Sequence, residues 1–370
     1  MTFSISKADL LNNLKTVSAA ACGKSSIQSL SHVLLVAKDG RLKLTCTDLT
    51  TTICSEVPCN VQDEGSVSIP VRLISDAIAR VADGEVKVRM GKGERVTFKA
   101  GTAEFRLQGL PAKDFPESFS HDQPEFSATI SQLTLRNGLR LVEYAATREE
   151  TRKALRGVLL SFTSEGLIML ATDGRRMSIF GPIESVRPGV QRDIILPASV
   201  VSMLVRHVGT DGDAGISVAK NRFTVSIGDV VISTLLVDET YPNWRQVVPT
   251  SEPTVISVDR SQLLCAIERV SVLVAHQGGE ETSIVLSFHD NQLVVEGRQE
   301  GTDWDAARDV VPCKFGEGCV NLRMNPKYLV EPLKAIDEDS VDLLLRSETG
   351  PMMIKSGSYF SGLVMPLRVR

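Results

Sequence analysis

The chain has 370 residues, which is too long for one ordinary hydrophobic core and predicts two or three domains. Hydrophobic residues make up 42% and charged residues 23% of it, and its longest apolar run, near 230–237, is far too short to span a bilayer. The net charge of −4 excludes an overall basic nucleic-acid binder. The net charge is +1 for residues 1–122, +1 for 123–250 and −6 for 251–370. DNA binding therefore has to be argued from local groups.

The first segment predicts a strand over 2–6 and an amphipathic helix from about Lys7 to Ala21, and the same pattern recurs twice. A strand at 126–130 and another at 255–258 precede the second and third copies of the helix. Each helix carries an apolar stripe at the spacing i, i+4, i+7, formed by Leu10, Leu14 and Val17, by Leu135, Leu139 and Val142, and by Leu263, Ile267 and Val270. A period of about 125 residues predicts three copies of a whole domain rather than a solenoid.

The rest of each repeat has a common order of elements. A hairpin follows the first helix, at 33–46, 157–171 and 284–296. A second short helix then begins near Pro70, Pro197 or Asn325, with apolar residues at Leu73, Ile74 and Ile78, at Val200, Val201 and Val205, and at Tyr328, Leu329 and Leu333. Each repeat therefore predicts an α+β domain of two helices packed on antiparallel strands. We expect domains at 1–122, 123–250 and 251–370, divided by Pro- and Ser-bearing linkers.

A hairpin turn in the second repeat carries the most informative local pattern. The strand before Asp173-Gly174 and the strand after it are both apolar, and Gly174 supplies the positive φ that such a turn requires. The first repeat has Thr47-Asp48 at the corresponding place, which indicates that Thr-Asp belongs partly to the scaffold. The site-specific residues are then 174–177, where the first repeat has 49–52.

Neither a metal centre nor a catalytic constellation is predicted. The seven cysteines show no C-x-x-C spacing and are expected to be reduced, and the five histidines form no H-E-x-x-H motif. Gly23-Lys24-Ser25 resembles the end of a phosphate-binding loop, but Ser18 stands where that loop needs glycine and a helix stands where it needs a strand. We expect no cofactor, and ATP turnover lost in Lys24→Ala would revive the enzyme hypothesis. No signal-peptide pattern follows Met1, so we expect a cytoplasmic protein.

The whole chain resembles the bacterial sliding clamps, the beta subunits of DNA polymerase III. The residues that carry the resemblance are 10–18, 46–49, 109–116, 171–177, 241–249 and 363–369, taken in their order and spacing. The resemblance implies the DNA clamp fold, with three clamp domains per chain and a homodimer closed into a ring. It further implies a non-catalytic processivity factor that encircles double-stranded DNA without sequence preference and tethers the polymerase. The expected protein partners are the DNA polymerase III alpha subunit, the clamp loader, and other polymerases and repair proteins; no membrane partner is expected.

Three sets of residues follow from the resemblance. DNA-binding cations are expected at Lys24, Arg72, Arg136, Arg140, Arg148, Arg152 and Lys153, with a solvated helix face as the alternative for each. Dimer contacts are expected at Phe105 and Leu107 and at Val272 and Leu273, with an internal core position as the alternative. A pocket between the second and third domains, which takes a short linear motif, is expected at Leu155, Thr172, Gly174, Arg175, Arg176, Met177, Pro242, Gln246, Val247, Leu363, Val364, Met365, Pro366, Leu367 and Arg368.

Some residues depart from the family pattern at this pocket. The pattern has His, Leu, Tyr and Arg where this chain has Arg175, Met177, Trp244 and Gln246. Methionine and aliphatic side chains still predict an adaptable apolar groove, and the arginines are expected to hold the backbone or an acidic side chain of the peptide. The departures leave open a divergent clamp-like adaptor, or a spare clamp, that binds peptides without full ring function.

Overall fold

The computed structural model describes residues 1–23, 25–116, 123–187, 189, 191–249, 253–275, 282–298, 306–314, 320–347 and 349–367. They form two compact units, one of residues 1–133 with 206–236 and the other of 134–205 with 237–370. None of the helices in these described ranges has the length and apolar character needed to cross a membrane.

Each of the three repeats contributes two helices to the described part of the chain. They are α1 (Lys7–Ser18), α2 (Val71–Arg80), α3 (Gln132–Glu143), α4 (Ala198–His207), α5 (Arg260–Ala275) and α6 (Pro326–Ala335). The nine residues of the predicted apolar stripes on α1, α3 and α5 are all buried, none more than 2% exposed, which confirms the repeat. The Ser6 hydroxyl accepts a hydrogen bond from the Asp9 backbone N–H at 3.0 Å and caps the start of α1.

The predicted apolar face of α2 is wrong at one residue. Leu73 is 55% exposed, whereas Val71, Ile74 and Ile78 are fully buried. Because successive helical residues point about 100° apart, a stripe through Val71, Ile74 and Ile78 leaves Leu73 on the solvent side. The first helix is also shorter than predicted, since α1 ends at Ser18 and not at Ala21.

The strands follow the repeat as well. The first repeat holds β1 (Thr2–Ser6), β2 (His32–Lys38), β3 (Arg41–Thr47), β4 (Thr51–Pro58), β5 (Asn60–Asp63), β6 (Gly65–Pro70), β7 (Glu85–Met90), β8 (Arg95–Ala100) and β9 (Ala103–Gln108). The second holds β10 (Phe126–Ser131), β11 (Gly157–Phe162), β12 (Leu167–Thr172), β13 (Arg176–Ile183), β14 (Arg192–Pro197), β15 (Asp213–Ala219), β16 (Arg222–Ile227) and β17 (Val230–Leu235). The third holds β18 (Thr254–Asp259), β19 (Ile284–His289), β20 (Gln292–Arg298), β21 (Ala306–Lys314), β22 (Val320–Met324), β23 (Ser340–Leu345), β24 (Met352–Ser356) and β25 (Phe360–Val364).

These strands form antiparallel sheets within each unit. The first unit contains a sheet in the order β5-β1-β7-β8-β9 and another in the order β10-β15-β16-β17-β4-β3-β2-β6. The second unit contains a twelve-stranded sheet in the order β14-β11-β12-β13-β25-β24-β23-β18-β21-β20-β19-β22. In this sheet the last strand of the third repeat, β25, pairs with β13 of the second, and Met177 lies opposite Leu363. That pairing brings the end of the chain beside the turn at Asp173-Gly174.

A glycine lets α3 pack closely on the sheet of the second unit. A Cβ atom added at Gly138 would lie 2.7 Å from both the Met169 Sδ atom and the Phe180 ring. A larger residue here would push α3 away from β12 and β13, which carry the turn.

Candidate functional site

The turn between β12 and β13 is held by the side chains of its own Thr-Asp pair. The Thr172 hydroxyl donates to the Arg176 carbonyl at 2.5 Å and accepts from the Gly174 N–H at 3.1 Å. The Asp173 carboxylate accepts from the backbone N–H groups of Arg175 and Arg176 at 2.9 and 3.0 Å. Gly174 has φ +88°, as the sequence predicted for this turn.

The first repeat builds the corresponding turn from its own Thr-Asp pair. Asp48 accepts from the Thr50 and Thr51 N–H groups at 2.9 and 2.6 Å, and Thr47 accepts from the Leu49 N–H at 3.1 Å. Leu49 adopts φ +77° where the second repeat has Gly174. The structure therefore confirms that Thr-Asp belongs partly to the scaffold, and the difference between the two turns lies in the four residues that follow.

The guanidinium of Arg176 is the buried centre of a charged cluster. Its side chain is 7% exposed, and its Nε atom lies 3.1 Å from the Asp173 carboxylate. Its Nη1 atom pairs with Glu331 of α6, and its Nη2 atom donates to the Tyr144 carbonyl at 2.7 Å. The guanidinium also lies over the rings of Tyr144 and Tyr328, at 5.3 and 4.8 Å from their centroids. This cluster joins the turn to α6.

The structure gives Arg176 a role that the sequence did not predict. We expected it to hold a peptide, but all three nitrogens of the guanidinium already have partners within the second unit. Burial raises the pKa of the Tyr144 phenol, so this ring stays neutral beside the guanidinium. Arg176 acts as a brace for the turn.

An apolar cavity of about 200 Å³ opens beside the turn in the second unit, and we call it the docking cavity. Its walls come from the turn, from Leu155, from residues 242–247 and from the end of β25. The complete lining is Leu155, Thr172, Gly174, Arg175, Arg176, Met177, Pro242, Asn243, Trp244, Val247, Leu363 and Met365. Met177 and Leu363 are buried members of the core cluster beneath it, whereas Val247 and Met365 are 56% and 43% exposed. The cavity thus has a buried floor and an exposed rim that a ligand can cover.

Ten of the fifteen residues predicted for this site line the docking cavity. Val364 does not line the cavity, because successive side chains along a strand point to opposite faces. Leu363 and Met365 lie on the cavity face, whereas Val364 is buried on the other face, with 2% of its side chain exposed. Gln246 is exposed on the short turn Trp244–Val247, and Pro366 and Leu367 lie half-buried beyond β25. Arg368 lies outside the described residues.

Two lining residues, Asn243 and Trp244, were missed by the sequence analysis. Trp244 was noted only as a departure from the family pattern, yet its side chain packs against the core cluster that contains Met177 and Leu363. A tryptophan inside a turn rich in polar residues was the available signal, since a ring of that size is rarely left in water.

Among the predicted DNA-binding cations, four are exposed, Arg136 and Arg140 are half-buried, and several have partners within their unit. Arg72, Arg148, Arg152 and Lys153 are exposed. Arg140 pairs with Asp337, and Arg136 donates to the Val205 carbonyl at 3.3 Å. Arg152 pairs with Glu149 at 3.2 Å and also donates to the Asp173 carbonyl at 3.0 Å. Lys24 lies outside the described residues. Of the described cations, Arg140 and Arg152 are therefore partly neutralised by neighbouring carboxylates.

The residues predicted for dimer contacts are not all internal. Val272 on α5 is 61% exposed, and Leu273 is half-buried. Phe105 and Leu107 lie on one face of the edge strand β9 and are also half-buried. On the neighbouring strand β8, by contrast, Val96 and Phe98 are completely buried. The alternative that Val272 is an internal core residue is thus excluded. Strand β9 lies at the edge of its sheet.

The described residues hold no group of three or more His, Cys, Asp or Glu side chains arranged to bind a metal ion. The site defined here is an apolar docking cavity on a protein made of three clamp-like repeats. Family models cover nearly the whole chain: residues 1–119 match the N-terminal domain of the DNA polymerase III beta subunit, 129–243 its central domain and 245–368 its C-terminal domain. The chain belongs to the DNA polymerase III beta subunit family.

Individual relatives match over their full lengths. The beta sliding clamp of Synechococcus elongatus is 27% identical over 370 residues, covering 98% of each chain, and that of Escherichia coli strain K12 is 26% identical over 375 residues, covering 100% of each. The crystal structure of the DNA polymerase III subunit beta from Pseudomonas aeruginosa is 25% identical, covers 100% of both chains and superposes with a TM-score of 0.91. The resemblance and the three-repeat clamp fold predicted from the sequence are confirmed.

Proposed function

We propose that the protein is a DNA sliding clamp, a non-catalytic processivity factor that encircles duplex DNA as a closed homodimer and tethers a polymerase. The observation that carries the docking part of this proposal is the apolar cavity beside the turn at Asp173-Gly174. Its lining matches the kind of groove in which one or two apolar anchors of an extended peptide are buried, with adaptable methionines at Met177 and Met365.

The DNA-binding part of the proposal depends on topology more than on affinity. The exposed cations Arg72, Arg148, Arg152 and Lys153 would contact phosphates, which carry no sequence information and let the ring slide. Pairing of Arg140 with Asp337 and of Arg152 with Glu149 lowers the local positive field. We therefore expect weak and salt-sensitive binding to linear duplex.

Ring closure is proposed to join two different patches, Phe105 with Leu107 from one protomer and Val272 with Leu273 from the other. Such a heterologous contact closes into a ring only when its rotation is right, and the edge strand β9 offers unpaired backbone groups for it. We further propose domains at 1–122, 123–250 and 251–370 and a cytoplasmic location, both of which rest on the sequence.

A primer-extension assay tests the proposed function. Polymerase and clamp loader from the same cell are placed on a long, singly primed circular template, and product lengths are measured with and without this protein. We expect much longer products from each binding event when the protein is present. Product lengths that do not change would contradict the processivity role, provided that the clamp loader hydrolyses ATP normally in the same reaction.

A further inference from the structure

A second cavity adjoins the docking cavity through the short turn Trp244–Val247. It measures about 620 Å³, and its lining is polar: the loop between β11 and β12 provides Thr163 and Glu165, the start of β14 provides Gln191, Arg192 and Asp193, and the turn provides Arg245. We call it the polar cleft. Two arginines and two carboxylates make the cleft nearly neutral as a whole.

Arg245 stands out among these groups because its guanidinium is positioned without being neutralised. Its Cζ atom lies 4.5 Å from the centre of the Trp244 ring, a cation–π contact that orients the side chain. No ion pair joins it to any other described residue, in contrast to Arg140, Arg152 and Arg176 of the same unit. An exposed, oriented arginine without a carboxylate is a recognition group for one.

The two cavities are lined by adjacent residues of one short turn. Trp244 lines the docking cavity, and its neighbour Arg245 lines the polar cleft. Adjacent Cα atoms are about 3.8 Å apart, and an extended chain advances about 3.3 to 3.6 Å per residue. Two or three residues beyond an anchor seated against Trp244 would therefore be enough to reach the guanidinium.

We propose that the polar cleft receives the residues flanking the apolar anchors of the docked segment, and that Arg245 selects one carboxylate side chain there. This inference rests on the proposed docking function. One carboxylate is favoured over an acidic run, since Glu165 and Asp193 would repel further negative charges. A run of phosphates is disfavoured for the same reason, so the ligand is a peptide and not nucleic acid.

Fluorescence anisotropy with synthetic peptides tests the assignment. Each labelled peptide carries a leucine and a phenylalanine anchor, flanked at one end or the other by a single aspartate, asparagine or lysine. In the unaltered protein we expect the aspartate peptide to bind about two- to fivefold more tightly than the asparagine peptide at low salt, the range for exposed ion pairs. Arg245→Gln should abolish this preference, and Arg245→Glu should transfer it to the lysine peptide. Arg187→Glu, which makes the same charge change outside both cavities, should leave the preference unchanged.

The outcomes separate this inference from the docking proposal. If the asparagine peptide binds and Met365→Ala weakens it, but aspartate adds nothing, docking stands and the role of Arg245 is overturned. An aspartate preference that survives Arg245→Gln also overturns the assignment. If none of the peptides binds to the unaltered protein, the docking proposal itself fails. Loss of duplex binding in Arg245→Gln with unchanged peptide affinities would assign this arginine to nucleic acid and overturn the inference.

Discussion

Replacing Met365 by alanine tests the docking cavity at little cost to the fold. The Met365 side chain is 43% exposed at the rim of the cavity. The Met365 backbone N–H donates to the Arg175 carbonyl at 2.9 Å, and this hydrogen bond remains in the variant. Met177 is a less suitable target because it is 4% exposed in the core cluster, where truncation to alanine costs about 2–5 kcal/mol of stability.

The size of the effect follows from the area that a ligand would cover. Truncation of methionine to alanine removes three heavy atoms, each worth about 0.8 kcal/mol when fully buried. A ligand that covers the exposed two-fifths of the side chain would therefore lose about 1 kcal/mol, or about fivefold in Kd. We expect this loss in the anisotropy assay, with an unchanged thermal unfolding midpoint.

The matched control is Val255→Ala, a truncation of a side chain that is 51% exposed in the same unit and does not line the cavity. It should leave peptide affinity unchanged. Equal affinities for the unaltered protein and Met365→Ala, with both folded, would refute the reasoning that the rim of the cavity contacts the peptide.

Three further predictions concern charge and burial. Asp337→Asn should free Arg140 for a phosphate and steepen the slope of log K against log salt for duplex binding by about one; a slope equal to that of the unaltered protein would place Arg140 away from DNA. Glu331→Ala should remove a partner of the buried Arg176 and lower the free energy of unfolding by about 1–3 kcal/mol in urea titrations, and Glu331→Gln, which removes only the charge, should lose part of this; unchanged stability in both variants would argue against the charged contact. Burial raises the pKa of the Cys46 and Cys54 thiols, whereas Cys265 is exposed; iodoacetamide at pH 8 should therefore label Cys265 before Cys46 and Cys54, and mass spectrometry showing early labelling of Cys46 would contradict the fold.

The repeat was predictable because it rests on local periodicity. Apolar residues at i, i+4 and i+7 bury one face of a helix wherever the chain provides a sheet to pack against, and all nine stripe residues are buried. The turn at Asp173-Gly174 was predictable for a similar reason, since the side chains of Thr172 and Asp173 bond to backbone groups at most four positions away. The error at Leu73 arose because Leu73 and Ile74 are adjacent in a short helix, so the sequence did not decide which of the two faces the core.

The ion-pair partners could not be read from the sequence. Glu331 lies 155 residues from Arg176, and Asp337 lies 197 residues from Arg140, so neither pair leaves a local pattern. The resemblance placed Arg176 at the pocket but did not predict that its guanidinium lies over the rings of Tyr144 and Tyr328, where it braces the turn. The polar cleft was missed because its lining comes from three separate segments whose residues are ordinary surface types.

Retention on circular DNA tests the central claim most directly. The protein is placed by a cognate clamp loader on nicked circular DNA, isolated with it by gel filtration at moderate salt, and then treated with a restriction enzyme that cuts the circle once. We predict that the protein stays with the intact circle and is released when the DNA becomes linear, because its hold is topological and its phosphate contacts are weak. Retention that does not depend on the cut, or failure to remain on the intact circle, would contradict a closed sliding ring.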